Sequence, residues 1–169
     1  MKDPTQATPY SRRLGGEESY WTMGYLMTWL AEGKDTDGRY SLAEVVARRG
    51  TEPPPHTHAN EDEAYYLLEG EMTFRVGEQT IEAGQGEYVW LPRGVQHAPV
   101  VKTPEVRFLV TVTPAGLEEA FKQVSEPAQS PTLPPPPEEP PGMEQMQQVL
   151  AVFEAYGVEF ALPPQEEQP

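Results

Sequence analysis

The chain has 169 residues and only three histidines, and two of these, His56 and His58, sit one residue apart beside the acidic run Glu61, Asp62, Glu63. In an extended strand, residues two apart project to the same face, so the two imidazoles point together. Pro53, Pro54 and Pro55 bias the approach to them toward extended backbone. Glu63 opens the next apolar stretch, AYYLL, after the polar corner ANED. A corner between neighbouring strands swings its carboxylate back onto the histidines. His97 follows Pro92 and Gly94, which mark a tight turn, so it starts a strand. Three imidazoles and one carboxylate suit a divalent metal, with ligand bonds of about 2.0–2.2 Å. Four such ligands on an octahedral ion leave positions open for substrate or oxygen. By residue type alone, a polar strand face with His97 at the surface fits as well. Glu61 and Asp62 read as solvated corner charges rather than ligands.

The elements that must position these side chains are short. From 63 to 113 the apolar stretches AYYLLEG, MTFRVG, TIEAG, YVWLPRG, HAPVV and VRFLVTVTP are each strand-sized and separated by turn residues. Met72, Phe74 and Val76 alternate with Thr73 and Arg75, and Val106, Phe108, Val110 and Val112 alternate likewise. Period two with frequent turns predicts antiparallel sheets in a sandwich or barrel. The lack of helices between them excludes a parallel α/β fold. Upstream, YWTMGYLMTWLAEG (20–33) predicts one or two strands, GKDTDG (33–38) a turn, and RYSLAEVVARRG (39–50) a strand.

Downstream, Leu117, Ala120, Phe121 and Val124 fall at helical spacing and predict one short helix. Residues 126–142 hold eight prolines and predict an extended connection. MEQMQQVLAVFEAYG (143–157) returns to a helical pattern, with Met146, Val149, Leu150 and Phe153 on one side and Gly157 as the cap. VEFAL (158–162) adds a strand before a disordered PPQEEQP tail. The domain plan is therefore an arm (1–19), a β-barrel (20–125), the proline-rich connection (126–142), and a C-terminal helix and strand packed on the barrel with the tail (143–169).

Composition narrows the partners. A formal charge of -15 repels phosphate backbones and anionic lipid heads, so neither nucleic acid nor a membrane surface is expected as a partner. The absence of cysteine removes disulfides, thiolate metal sites and a cysteine nucleophile. The start, MKDPTQATPYSRRLGG, has no apolar stretch of signal-peptide type, and a cytoplasmic location is expected.

The spacing goes beyond a lone HxH. Gly50, His56, His58, Glu63 and Gly70 are separated by five, one, four and six residues, and Gly86, Pro92, Gly94 and His97 by five, one and two. These resemble the two sequence motifs of the cupin superfamily, with fifteen residues between them, and every histidine falls on a ligand position. One position departs: the second motif usually ends in asparagine where this chain has Val101, which makes that wall of the pocket more apolar. The stretch from Gly33 to Phe74, and a tail in which a helix runs into AYGVEFALPP, resemble the single-domain cupins grouped with bacterial quercetin 2,3-dioxygenases.

The resemblance implies an all-β fold, the cupin double-stranded β-helix or jelly roll, with one or two short C-terminal helices. It implies one divalent transition metal (Mn, Fe, Co, Ni, Cu or Zn) held by His56, His58, Glu63 and His97. It also implies oxidative cleavage of a flavonol or similar enolisable aromatic by dioxygen, with Glu63 as both ligand and general base. A non-oxidative lyase or isomerase and a non-catalytic binding cupin use the same scaffold. An apolar pocket is expected, with Tyr25, Met27, Tyr65, Phe74 and Val101 as lining candidates and Trp21 and Trp90 beside them; each also suits ordinary barrel core. A homodimer is expected, because YWTMGYLMTWL is more apolar than a surface strand should be.

Overall fold

The alternating stretches fold into two facing antiparallel sheets. The computed structural model describes residues 8–161 apart from 17, 138 and 140, so the PPQEEQP tail lies outside the described residues. Among the described residues twelve strands form, β1 (Ser19–Thr22), β2 (Tyr25–Ala31), β3 (Ser41–Arg48), β4 (His56–His58), β5 (Asp62–Glu69), β6 (Met72–Val76), β7 (Gln79–Ala83), β8 (Tyr88–Leu91), β9 (His97–Val101), β10 (Glu105–Thr113), β11 (Glu126–Pro127) and β12 (Val158–Phe160). Three helices accompany them, α1 (Gly33–Thr36), α2 (Glu118–Gln123) and α3 (Met143–Glu154). One sheet runs β11-β1-β2-β3-β10-β5-β8 and the other β12-β4-β9-β6-β7. The order is far from sequential, and every pairing is antiparallel, as in a jelly roll.

The core lies between the sheets and takes alternate residues from each. Phe74 and Leu67 are fully closed off, and Tyr65 meets Phe74 edge-on and Phe108 at a tilt, each with ring centroids 4.9 Å apart. Such aromatic contacts stabilise beyond their buried area.

The apolar stretch 20–33 resolves into two strands, because Met23 and Gly24 both take positive φ and form a hairpin turn. The predicted turn at 33–38 holds one helical turn, α1, started by a capping box between Glu32 and Asp35. The apolar residues of β2 are covered within one chain. Met27 and Trp29 join the core, and Trp29 meets Phe121 of α2 edge-on at 6.1 Å. The N-terminal arm crosses β2, with Tyr10 Oη donating to the Leu30 carbonyl at 2.9 Å and Arg12 to the same carbonyl at 3.1 Å. The expectation of a dimer thus loses its premise in β2.

The described part of the proline-rich connection forms no helix and is tied down. Its first residues pair with β1 as β11, and Trp21 Nε1 donates to the Thr132 carbonyl at 2.8 Å. In α3, Leu150 and Phe153 face the core, but Met146 is 46% exposed and falls off the inner face. The helix closes at Ala155, with Gly157 two residues later turning the chain into β12. No helix among the described residues is long and apolar enough to cross a membrane.

Candidate metal centre

Strand β4 carries His56 and His58 inward with Thr57 between them, the alternation expected of an extended HTH. Strand β9 lies beside it, and His97 stands directly opposite His56 in the register. The Pro92–Gly94 turn that starts β9 is anchored to β4, because the Gly94 amide donates to the His58 carbonyl at 2.8 Å. Gly94 sits at φ 73, a left-handed conformation that favours glycine. Glu63 comes from the other sheet, on β5, between Leu91 of β8 and Val112 of β10. The corner Ala59–Glu61 carries the chain from one sheet to the other. Four side chains from three strands therefore converge where the sheets meet.

His97 Nε2 lies 3.1 Å from His56 Nε2 and 3.3 Å from Glu63 Oε2, and His58 Nε2 lies 3.9 Å from the same oxygen. All four ligand atoms fall within 4.8 Å of one another, and all four residues are buried. His56 Nδ1 stands 2.9 Å from the Pro54 carbonyl and His97 Nδ1 3.2 Å from the Val95 carbonyl. A carbonyl accepts only, so each Nδ1 carries the proton and each Nε2 turns a lone pair inward. Two lone pairs then face each other at 3.1 Å. His58 Nε2 and Glu63 Oε2 are buried with no hydrogen-bond partner. Converging lone pairs and an unpartnered buried carboxylate oxygen are what a divalent cation satisfies, so this donor set fits one.

The protonation states of His56 and Glu63 agree with this. Burial pushes the His56 imidazole down to about 4, and the nearby His97 adds to this against the pull of Glu63. Burial also drives Glu63 upward, but His97, His58 and His56 outweigh it and hold the carboxyl below its ordinary value. At neutral pH His56 is neutral and Glu63 charged, the states in which they ligate. Burial lowers His58, yet the Glu61 and Glu63 carboxylates more than offset it and leave it raised.

Beside the cluster, one side chain differs from the reading of the sequence. Glu61 is not a solvated corner charge: it is 5% exposed, with Oε2 3.6 Å from His58 Nδ1. Its parity matches Glu63, two residues on, so both turn to the same side. Asp62 behaves as expected, facing outward to a forked pair with Arg93 at 3.0 and 3.2 Å.

The pocket candidates divide. Tyr65 follows Glu63 on the inward face of β5, and Tyr25 is half-buried with its hydroxyl on the Thr51 carbonyl at 2.6 Å. Met27, Phe74 and Val101 are closed into the core. Trp90 is 54% exposed, because Val89 and Leu91 take the inward positions of β8. Trp21 lines a surface cleft between the β1–β2 turn and α3, away from the cluster. Neither tryptophan belongs to an interior pocket.

The C-terminal segment also supports the centre. β12 pairs with β4, with Val158 opposite His58 and Phe160 opposite His56, and the Phe160 ring lies 5.8 Å from the His56 ring. The turn before it roofs the β4–β5 corner: the Ala59 amide donates to the Gly157 carbonyl at 2.8 Å and Asn60 Nδ2 to the Tyr156 carbonyl at 3.1 Å. Gly157 is at φ 89, and a Cβ there would lie 2.3 Å from Asn60 Nδ2. Gly157→Ala is expected to destabilise the metal-free protein by at least about 1–2 kcal/mol from the left-handed backbone alone. It should also weaken metal binding, because the corner between His58 and Glu63 shifts. Urea unfolding and metal titration of the variant check both.

Residues 43–113 match the Cupin_2 family model, a cupin domain. The chain belongs to the cupin superfamily. It is 25% identical over 124 residues to the quercetin 2,3-dioxygenase of Bacillus subtilis (strain 168), covering 73% of this chain and 37% of that protein. The chain thus spans little more than a third of that relative's length. It is 30% identical over 91 residues to an uncharacterized protein of Streptomyces coelicolor, covering 54% of this chain and 81% of that one. Among solved structures, the Streptomyces nucleoside dehydratase Pac13 shares the fold at a TM-score of 0.53 and 17% identity, over 73% of this chain and 93% of its own.

Proposed function

We propose that the protein is a metal-dependent dioxygenase of the quercetin 2,3-dioxygenase type, which cleaves a flavonol or similar enolisable aromatic with dioxygen. The observation that carries this reading is a buried cluster of three imidazoles around one charged carboxylate whose Oε2 has no hydrogen-bond partner. The likeness to the Bacillus enzyme supports the substrate class. His56, His58, Glu63 and His97 would hold one divalent ion, and imidazole with carboxylate accepts manganese, iron, cobalt, nickel, copper or zinc. Such an ion supplies Lewis acidity that makes a hydroxyl easier to deprotonate.

The chain's own residues supply the rest. Glu63, whose carboxyl is charged at neutral pH, takes the substrate proton on its carboxylate. Tyr65 stands next on the same face; burial first, and then the Glu63 charge, hold its phenol well above the ordinary value. It therefore stays protonated and orients the substrate as a donor. A homodimer is part of this reading and rests on the family resemblance alone.

Oxygen uptake with a panel of flavonols, after reconstitution with each of the six metals, tests the proposal. Uptake with release of carbon monoxide is the expected result for at least one pair. Should every flavonol remain untouched, the dioxygenase reading fails. Anaerobic turnover would then favour a lyase or isomerase, and binding without turnover a non-catalytic cupin.

A further inference from the structure

His58 differs from the other two imidazoles in what stands behind it. Backbone carbonyls face Nδ1 of His56 and His97, at 2.9 and 3.2 Å. Behind Nδ1 of His58 is a carboxylate, Glu61 Oε2, at 3.6 Å. Both side chains are buried, and among the described residues neither His58 Nδ1 nor Glu61 Oε2 has a hydrogen-bond partner. Buried polar atoms in folded proteins are nearly always paired. Two that face each other unpaired, one able to donate and the other only to accept, are the halves of one hydrogen bond a few tenths of an ångström from closing. The two residues before Glu61 are tied to the Tyr156–Gly157 turn, which accepts hydrogen bonds from the Ala59 amide and Asn60 Nδ2. The adjacent charge, Asp62, turns the other way onto Arg93.

We infer that Glu61 is a positioning residue for the metal: it accepts the Nδ1 proton of His58 and locks that ring with its Nε2 lone pair toward Glu63. A charged acceptor also makes His58 a better donor than its two partners, whose acceptors are neutral. The inference rests on the reading of the cluster as a metal site.

Titration of metal-free protein with zinc against a competing chelator tests it. Glu61→Leu, which fills the space but accepts nothing, should weaken binding about 10–100-fold, the usual cost of losing a partner behind a ligating histidine. Glu61→Gln, whose amide oxygen still accepts, should recover most of that loss. Asp62→Asn removes the same charge one residue away and should change nothing. Nitrogen-15 spectra of the metal-free wild type, taken at a pH high enough for the His58 ring to be neutral, should show its single proton on Nδ1, and Glu61→Leu a mixture of tautomers. Wild-type affinity in Glu61→Leu, or the neutral His58 ring protonated on Nε2 in the metal-free wild type, overturns the inference. Failure of the wild type to bind zinc would instead sink the metal reading, and the spectra would still decide the tautomer.

Discussion

Replacing His97 with alanine is expected to lower the affinity for a divalent ion by more than about 100-fold, beyond the usual cost of losing a residue that merely supports a ligand. His97 is the hub of the cluster. Its Nε2 lies within 3.3 Å of both His56 and Glu63, and its residue is 2% exposed, so water cannot readily take its place. His56→Ala should behave alike, since His56 and His97 face each other across β4 and β9. Elemental analysis of protein purified with and without added metal, together with chelator competition, provides the measurement. Thermal melting adds a second view. A ligand present at a hundred times its Kd stabilises the folded state by about 2.7 kcal/mol. The wild type should therefore melt higher with metal, and the two variants should not respond. Variants that hold metal as firmly as wild type would show that the site has been misassigned.

The convergence of His56, His58, Glu63 and His97 was legible because its information is local. The HTH parity places two imidazoles on one face, and the Pro92–Gly94 turn starts β9 at His97. The corner ANED is short enough to bring Glu63 back across the sheets. Glu61 was misread because the corner was treated as solvated, whereas its roof comes from Tyr156 and Gly157, far along the chain. That contact leaves no local pattern. Parity did carry a signal, since Glu61 and Glu63 are two apart. The same alternation marks Trp90 as outward, between the inward Val89 and Leu91. The split of 20–33 into β1 and β2 was signalled only by Gly24. The cover over β2 was not legible at all, because it is built from an arm, α2 and long-range packing. A strand that reads as too apolar for a surface can simply be an inner strand.

Replacing Glu63 with glutamine is expected to lower flavonol turnover of metal-loaded protein by about 10²–10⁴-fold, the usual worth of a positioned general base. The change keeps the shape of the side chain and removes its charge. The amide no longer takes a proton, and none of the other three ligands is free to do so, because their inward nitrogens are spent on the ion. Tyr65, the next side chain along the face, cannot substitute: burial, the main cause of its raised phenol, remains in the variant and keeps it protonated. Metal affinity should fall less than turnover, since three imidazoles still ligate. The comparison must therefore be made at equal metal occupancy, or lost metal will pass for lost base. Glu61→Leu separates the two effects from the other side. Glu61 lies behind His58, on the Nδ1 side of its ring, so its loss should register in affinity and leave turnover of the fully loaded protein near wild type. A Glu63→Gln protein that is fully loaded and still cleaves flavonols at the wild-type rate would remove Glu63 from the proton transfer and leave it a ligand alone.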